Sequence, residues 1–226
     1  PVLAACRAGG RHAHRPDPCR ILSQNFGFKL NLTAGEVYEI KAVYEGTIKC
    51  ERVNSSLTGF ERTKKTLESD TYKTAVFGDG VLDITFSGDG KLSSLTVEKV
   101  ERTANSKPAW WTIGDSTVQQ NGSWAYTLNN TLSDYPKLSN VISVFYNSGQ
   151  AGRQHRSYYT EGLLNNVLCG IKSGDVVSIS GMGTNDTSST KDEFKEYNNI
   201  YIDAIKAMDA KVILGSYTPT GNYGST

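Results

Sequence analysis

The spacing of apolar residues changes once along this chain, near residue 108, and the change constrains what each side can fold into. Before it, apolar residues alternate with polar ones, as in Phe26, Phe28, Leu30, Leu32 and then Val37 to Tyr44. A period of two places alternate side chains on one face of a strand. After it, short β-branched runs alternate with stretches whose apolar residues recur every three to four positions, the period of a helix buried on one side. Two different periods on the two sides of a polar, Pro-ended stretch, Arg102 to Pro108, imply two domains joined by a short linker.

The first domain, residues 24–103, reads as short strands at Phe26–Leu32, Val37–Tyr44, Thr47–Cys50, Lys73–Phe77, Val81–Phe86 and Leu92–Val100. Gly35, Gly46, Gly59, Gly78-Asp79-Gly80 and Gly88-Asp89-Gly90 punctuate them. Many short strands with glycine turns at this spacing predict an antiparallel β-sandwich.

The second domain, residues 109–226, alternates strands and helices. Strands are expected at Trp110–Ile113, Val141–Tyr146, Asp175–Ser180 and Lys211–Ser216, and helices at Ser123–Leu132 and Ser157–Ile171. A third helix opens on the capping box Thr190-Lys191-Asp192-Glu193. This order predicts an α/β fold with a parallel sheet covered on both faces, whose chemistry sits at the carboxyl ends of the strands.

Three of those strand ends carry polar clusters. They are Gly114-Asp115-Ser116-Thr117, Asn147-Ser148-Gly149-Gln150-Ala151-Gly152-Arg153 and Gly181-Met182-Gly183-Thr184-Asn185-Asp186. Parallel strands share direction, so all three clusters are expected at one edge. Ser116, on a tight strand-to-helix turn, is the candidate nucleophile. The Gly152 N–H, with no side chain to obstruct it, and the Asn185 amide are candidate donors to a developing oxyanion. A serine with convergent neutral donors is the apparatus of acyl transfer. Arg153 and Arg156 follow Gly152, and Arg153 is the candidate substrate contact, a guanidinium suited to a uronate carboxylate. Its alternative role is a brace for the loop.

These residues resemble the SGNH (GDSL-like) hydrolases, in the order and spacing of that family's first three blocks over about residues 110–220. Within it they are most similar to rhamnogalacturonan acetylesterases, which share the Gly-Asp-Ser-Thr form and a block here written Ala151-Gly152-Arg153-Gln154-His155-Arg156-Ser157-Tyr158. The resemblance implies a three-layer, flavodoxin-like parallel sheet. It implies Ser116 as nucleophile and the Ser116 N–H, Gly152 N–H and Asn185 as the oxyanion hole. Asp115 then braces the turn. The segment Gly80 to Val100 resembles the closing strands of a galactose-binding-like jelly roll, which implies a carbohydrate-binding role for the first domain.

The family's last block, Asp-x-x-His, supplies its general base, and no histidine here has Asp three positions before it. The histidines are His12, His14 and His155. The expectation is therefore a truncated hydrolase domain, inactive as it stands, with His155 the first suspect should a base exist within these residues. The implied function is a serine esterase that deacetylates plant polysaccharide such as pectin, rhamnogalacturonan or xylan. The competing functions are a catalytically incomplete carbohydrate-binding protein and a lipase or thioesterase of the same fold.

Composition excludes other classes. Lys+Arg is 24 and Asp+Glu is 23, and Arg7, Arg11, Arg15 and Arg20 place the positive excess in the first 22 residues, so the folded parts lack the basic surplus of a nucleic-acid binder. No apolar run approaches the roughly 20 residues that span a bilayer. No metal or cofactor is implied, the expected partner is the polysaccharide substrate, and the chain is expected to be an extracellular or cell-surface monomer. Residues 1–23 read as a leader without periodicity, expected to be disordered or non-native. It also admits a lipoprotein-like box at Leu3-Ala4-Ala5-Cys6, a Cys6–Cys19 disulfide, or zinc binding by Cys6, His12, His14 and Cys19. Cys169 is expected to be a buried thiol.

Overall fold

The structure is a computed structural model that describes residues 2–4, 26–53 and 59–216. The chain divides into two compact units, Pro1–Glu101 and Arg102–Thr226. The proposed leader ligands and disulfide partners, Cys6, His12, His14 and Cys19, lie outside the described residues, as does the polar stretch from Tyr217 to Thr226.

The first unit is one antiparallel sheet of six strands. They are β1 (Val2–Ala4), β2 (Phe26–Asn31), β3 (Val37–Val53), β4 (Phe60–Ala75), β5 (Val81–Gly88) and β6 (Lys91–Lys99). One edge of β3 pairs with β4 along most of its length. The other edge pairs first with β6, over Tyr38–Glu45, and then with β5, over Ile48–Val53. The two expected separate sheets are thus one sheet, with β3 running through both halves. Gly46 makes this continuity possible. It sits at a register shift with φ of 83°, and a Cβ there would come 2.8 Å from the Gly90 backbone. Ile40, Ala42 and Val97 from one half join Ile48, Ile84 and Phe86 from the other in one buried cluster. The alternating residues of both halves therefore share a core. Within the segment expected to lack structure, Val2–Ala4 pairs with Leu95 to Val97 of β6.

The second unit is a four-stranded parallel sheet in the order β10-β9-β7-β8. Its strands are β7 (Trp110–Gly114), β8 (Phe145–Gly149), β9 (Val176–Ile179) and β10 (Lys211–Leu214). Its helices are α1 (Ser116–Gln119), α2 (Trp124–Thr131), α3 (Pro136–Ser139), α4 (His155–Thr160), α5 (Leu163–Gly170) and α6 (Lys191–Ala207). The chain leaves β7 toward β8 but leaves β9 toward β10. That reversal opens a crevice at the carboxyl ends of β7 and β9, where open α/β sheets place ligands.

Three expectations shift. The strand expected at Val141–Tyr146 begins at Phe145, because the Val141 and Ile142 N–H groups both donate to the Leu138 carbonyl and close a turn after α3. The helix expected at Ser157–Ile171 is two helices, divided at Gly162, whose φ of 80° no α-helix accommodates. Cys169 is half-buried rather than buried. The Thr190–Glu193 capping box closes as expected, with reciprocal bonds of 2.9 and 3.1 Å.

Candidate active site

The three polar clusters leave the carboxyl ends of β7, β8 and β9. The first turn is built by Asp115, the N-cap of α1, whose carboxylate accepts from the Thr117 N–H and the Thr117 hydroxyl at 2.8 Å each. Asp115 is fully buried, which suits a brace. Gly114 is required above it, since a Cβ there would lie 2.2 Å from the Ser180 carbonyl. Ser116 follows, half-buried, and among the described residues its hydroxyl has no hydrogen-bond partner.

The second loop is fastened to the first. Gln150 N–H donates to the Gly114 carbonyl at 2.8 Å, and Ala151 N–H donates to the Gln119 side chain at 2.5 Å. Gly152 has φ of 73° and is exposed, and its N–H donates to no group among the described residues. The third loop docks on both. Asn185 Nδ2 reaches Asp115 Oδ2 at 3.3 Å and the Arg153 carbonyl at 3.2 Å, and Gln154 Nε2 donates to the Asn185 carbonyl at 2.8 Å. Both hydrogens of the Asn185 amide are thus engaged within the protein. The Arg153 guanidinium is held within its own segment, on Glu161 at 2.7 Å and on the Ala151 carbonyl at 3.0 Å. Arg156 is exposed.

A second constellation lies beside these loops. His155 Nδ1 and Asp186 Oδ2 are 2.8 Å apart, and their side chains are 2% and 4% exposed. Asp186 also accepts from the His155 N–H at 3.3 Å and from Ser189 Oγ at 3.0 Å. Burial alone raises the Asp186 carboxyl, but the hydrogen bonds and charge attraction from His155, with the Ser189 bond, outweigh it and hold the carboxyl below its ordinary value. The imidazole lies edge-on to Phe194, with ring centroids 4.7 Å apart, and the Tyr201 hydroxyl donates to the His155 carbonyl at 2.8 Å. His155 lines a cavity of about 360 Å³ with Ile179, Met182, Phe194, Ile202 and Leu214. Both partners were visible in the sequence, His155 in the block Ala151 to Tyr158 and Asp186 in the third cluster. Their pairing, 31 positions apart, was not. Among the described residues no group of three or more His, Cys, Asp or Glu side chains is arranged to hold a metal ion.

No protein-family model matches the chain, and no curated protein matches it in sequence. Among solved structures it is similar to a protein of Bacillus subtilis, at 23% identity and a TM-score of 0.43 over 84% of this chain; the match spans 56% of the Bacillus chain. It is also similar to a family two carbohydrate esterase from Clostridium thermocellum, solved with cellohexaose, at 15% identity and a TM-score of 0.33 over 92% of this chain and 76% of that one. A family two carbohydrate esterase from Cellvibrio japonicus matches at 11% identity and a TM-score of 0.32, over 91% of this chain and 77% of that one. At this level the similarity carries no functional weight; the residues of the three loops do.

Proposed function

We propose that the second unit is the acyl-transfer domain of a secreted serine esterase that removes acetyl groups from plant polysaccharide, pectic or xylan-like. The observation that carries this is the convergence of three loops on one sheet edge, locked by Asn185 and Gln154, beside a serine hydroxyl that no group among the described residues engages. In this reading Ser116 Oγ attacks the acetyl carbonyl carbon and its proton passes to a base. The carbonyl oxygen becomes an oxyanion facing the Ser116 and Gly152 N–H groups, and the sugar hydroxyl leaves with a proton. Water then hydrolyses the acetyl-serine by the same steps in reverse order. Asn185 joins the donors by turning one N–H away from Asp115 or Arg153, whose bonds to it, at 3.3 and 3.2 Å, are long. The acetylated-polysaccharide substrate follows from the resemblance at Ala151 to Tyr158, and the extracellular location follows from that substrate. Jelly-roll ancestry and sugar binding by the first unit belong to the same proposal.

No imidazole hydrogen-bonds Ser116 among the described residues; their one histidine, His155, pairs through Nδ1 with Asp186. Turnover by these 226 residues is therefore expected to be slow and to rise with added imidazole as an exogenous base. The test is fluorophosphonate labelling and acetate release from acetylated pectin, acetylxylan and long-chain esters, with Ser116→Ala alongside. Labelling at Ser116 and loss of acetate release in the variant support the reading. Acetate release that survives Ser116→Ala refutes it. Polysaccharide binding without labelling or turnover favours the competing function, a binding protein on an esterase-like scaffold.

A further inference from the structure

The side of the sheet covered by α5 holds a second cavity, of about 370 Å³, between the edge strand β8 and that helix. Trp111 lines it. The Trp111 ring is fixed on two sides: its Nε1 donates to the buried Asp175 carboxylate at 3.1 Å, and Tyr146 stacks on it with centroids 4.1 Å apart at 31°. Around the ring stand Ser148, Gln150 and Asn166, whose side chains have no hydrogen-bond partner among the described residues. Leu163 and Val167 of α5 complete the apolar part. No charged side chain lines the cavity.

We infer that this cavity, lined in part by Ser148 and Gln150 of the second loop, is a binding site for a neutral hexopyranoside. Three features select that ligand. The Trp111 indole contributes rigid apolar surface to the lining, which the C–H groups of a pyranose ring match. Two amides and a hydroxyl each offer both donor and acceptor atoms, the pattern that sugar hydroxyls present in return. The uncharged lining gives a carboxylate or phosphate no compensation for leaving water, so uronates and phosphosugars are disfavoured. The volume lies in the range that small ligands occupy.

The site does not depend on acyl transfer, so its test is binding alone. The full chain is titrated with methyl β-glucoside, methyl β-galactoside, cellotriose, glucuronate and adenosine to roughly 50 mM, a range that covers millimolar dissociation constants. Binding is followed by ¹H–¹⁵N chemical shifts of the Trp111 indole and the Gln150 and Asn166 amides. The neutral glycosides are expected to shift these three side chains together. Asn166→Ala and Gln150→Ala should each weaken binding roughly three- to tenfold, the worth of a lost hydrogen bond. Trp111→Phe should weaken it by roughly tenfold or more, with its thermal unfolding checked in parallel because the indole also bonds Asp175. Ser116→Ala should leave the sugar affinity unchanged, so failure here and failure of the esterase reading are distinct outcomes. Absence of shifts at all three side chains overturns the inference. So does glucuronate or adenosine binding as tightly as the neutral glycosides, or sugar affinity indifferent to both amide variants.

Discussion

Replacing Asp186 by alanine tests whether the third loop is held by its buried pair with His155. The carboxylate takes hydrogen bonds from the His155 imidazole at 2.8 Å, the His155 N–H at 3.3 Å and Ser189 Oγ at 3.0 Å. Removing it leaves an imidazole and a backbone N–H without partners in an interior where the imidazole side chain is only 2% exposed. Losing one member of a buried pair costs about 3–5 kcal/mol, and each orphaned donor about 1–3 kcal/mol within that sum. Asp186→Asn keeps one acceptor oxygen and the shape, and should cost about half as much. Trp110, Trp111 and Trp124 are the only tryptophans, and all lie in the second unit, so indole fluorescence during urea unfolding reports on that unit alone. With a slope of about 2 kcal/mol/M, Asp186→Ala should lower the urea midpoint by roughly 2 M. The sign of the pH effect follows from the lowered folded-state value. Stability from Asp186 is fully present above the unfolded carboxyl's 3.8 and is lost as pH falls through the lower folded value. The deficit of Asp186→Asn should therefore narrow only below about pH 4. A midpoint within about 0.5 M of the parent for Asp186→Ala refutes the argument. A deficit that already narrows near pH 6 means that some group other than this carboxyl sets the effect.

Gly181→Ala should destabilise the second unit by about 2–4 kcal/mol in the same fluorescence assay. Its φ is 73°, and the new Cβ would lie 2.3 Å from Thr117 Oγ1, in the turn that carries Ser116. Thr190→Ala removes the side-chain half of the α6 capping box and should cost about 1 kcal/mol, read as a small fall in the urea midpoint. Gly46→Ala, with φ of 83° and a contact of 2.8 Å to Gly90, should cost about 2–3 kcal/mol in the first unit. That loss should appear in far-UV thermal unfolding while the tryptophan transition stays in place; a shifted tryptophan transition would refute the assignment of the damage to the β unit.

The elements that were legible are those whose pattern is local and one-sided. β5 alternates half-buried and buried residues along Val81–Ser87, as its period of two requires. β4 was invisible beyond its last residues for a physical reason. It pairs only with β3, and most of Glu61–Lys73 is exposed, so Thr, Lys and Glu fill positions that a covered strand would give to apolar residues. Its inward polar groups are satisfied by each other, with Asp70 meeting Lys64 at 3.5 Å and the Tyr44 hydroxyl. The strand near residue 145 was displaced because β-branched Val141 and Ile142 serve a turn there, and propensity alone does not separate the two uses.

The site divides along the same line. A Gly-Asp-Ser turn is a local object: Asp115 caps, Gly114 admits the Ser180 carbonyl, and Ser116 follows from both. Asn185 is not local. Its amide spans 70 positions to Asp115 and 32 to Arg153, and only the folded chain shows that both N–H groups are occupied. That occupation changes what the residue does before any substrate arrives. It fixes the relative position of the three loops, so Asn185→Ala should loosen the site as well as remove a donor. A donor role alone would lower turnover at unchanged stability, at a cost of about 3–4 kcal/mol in the barrier. A locking role adds a lowered urea midpoint, because the Asp115 carboxylate loses one partner in a buried position. Measuring both quantities on the same variant separates them: a midpoint equal to the parent's would show that the two long bonds contribute nothing to holding the loops together.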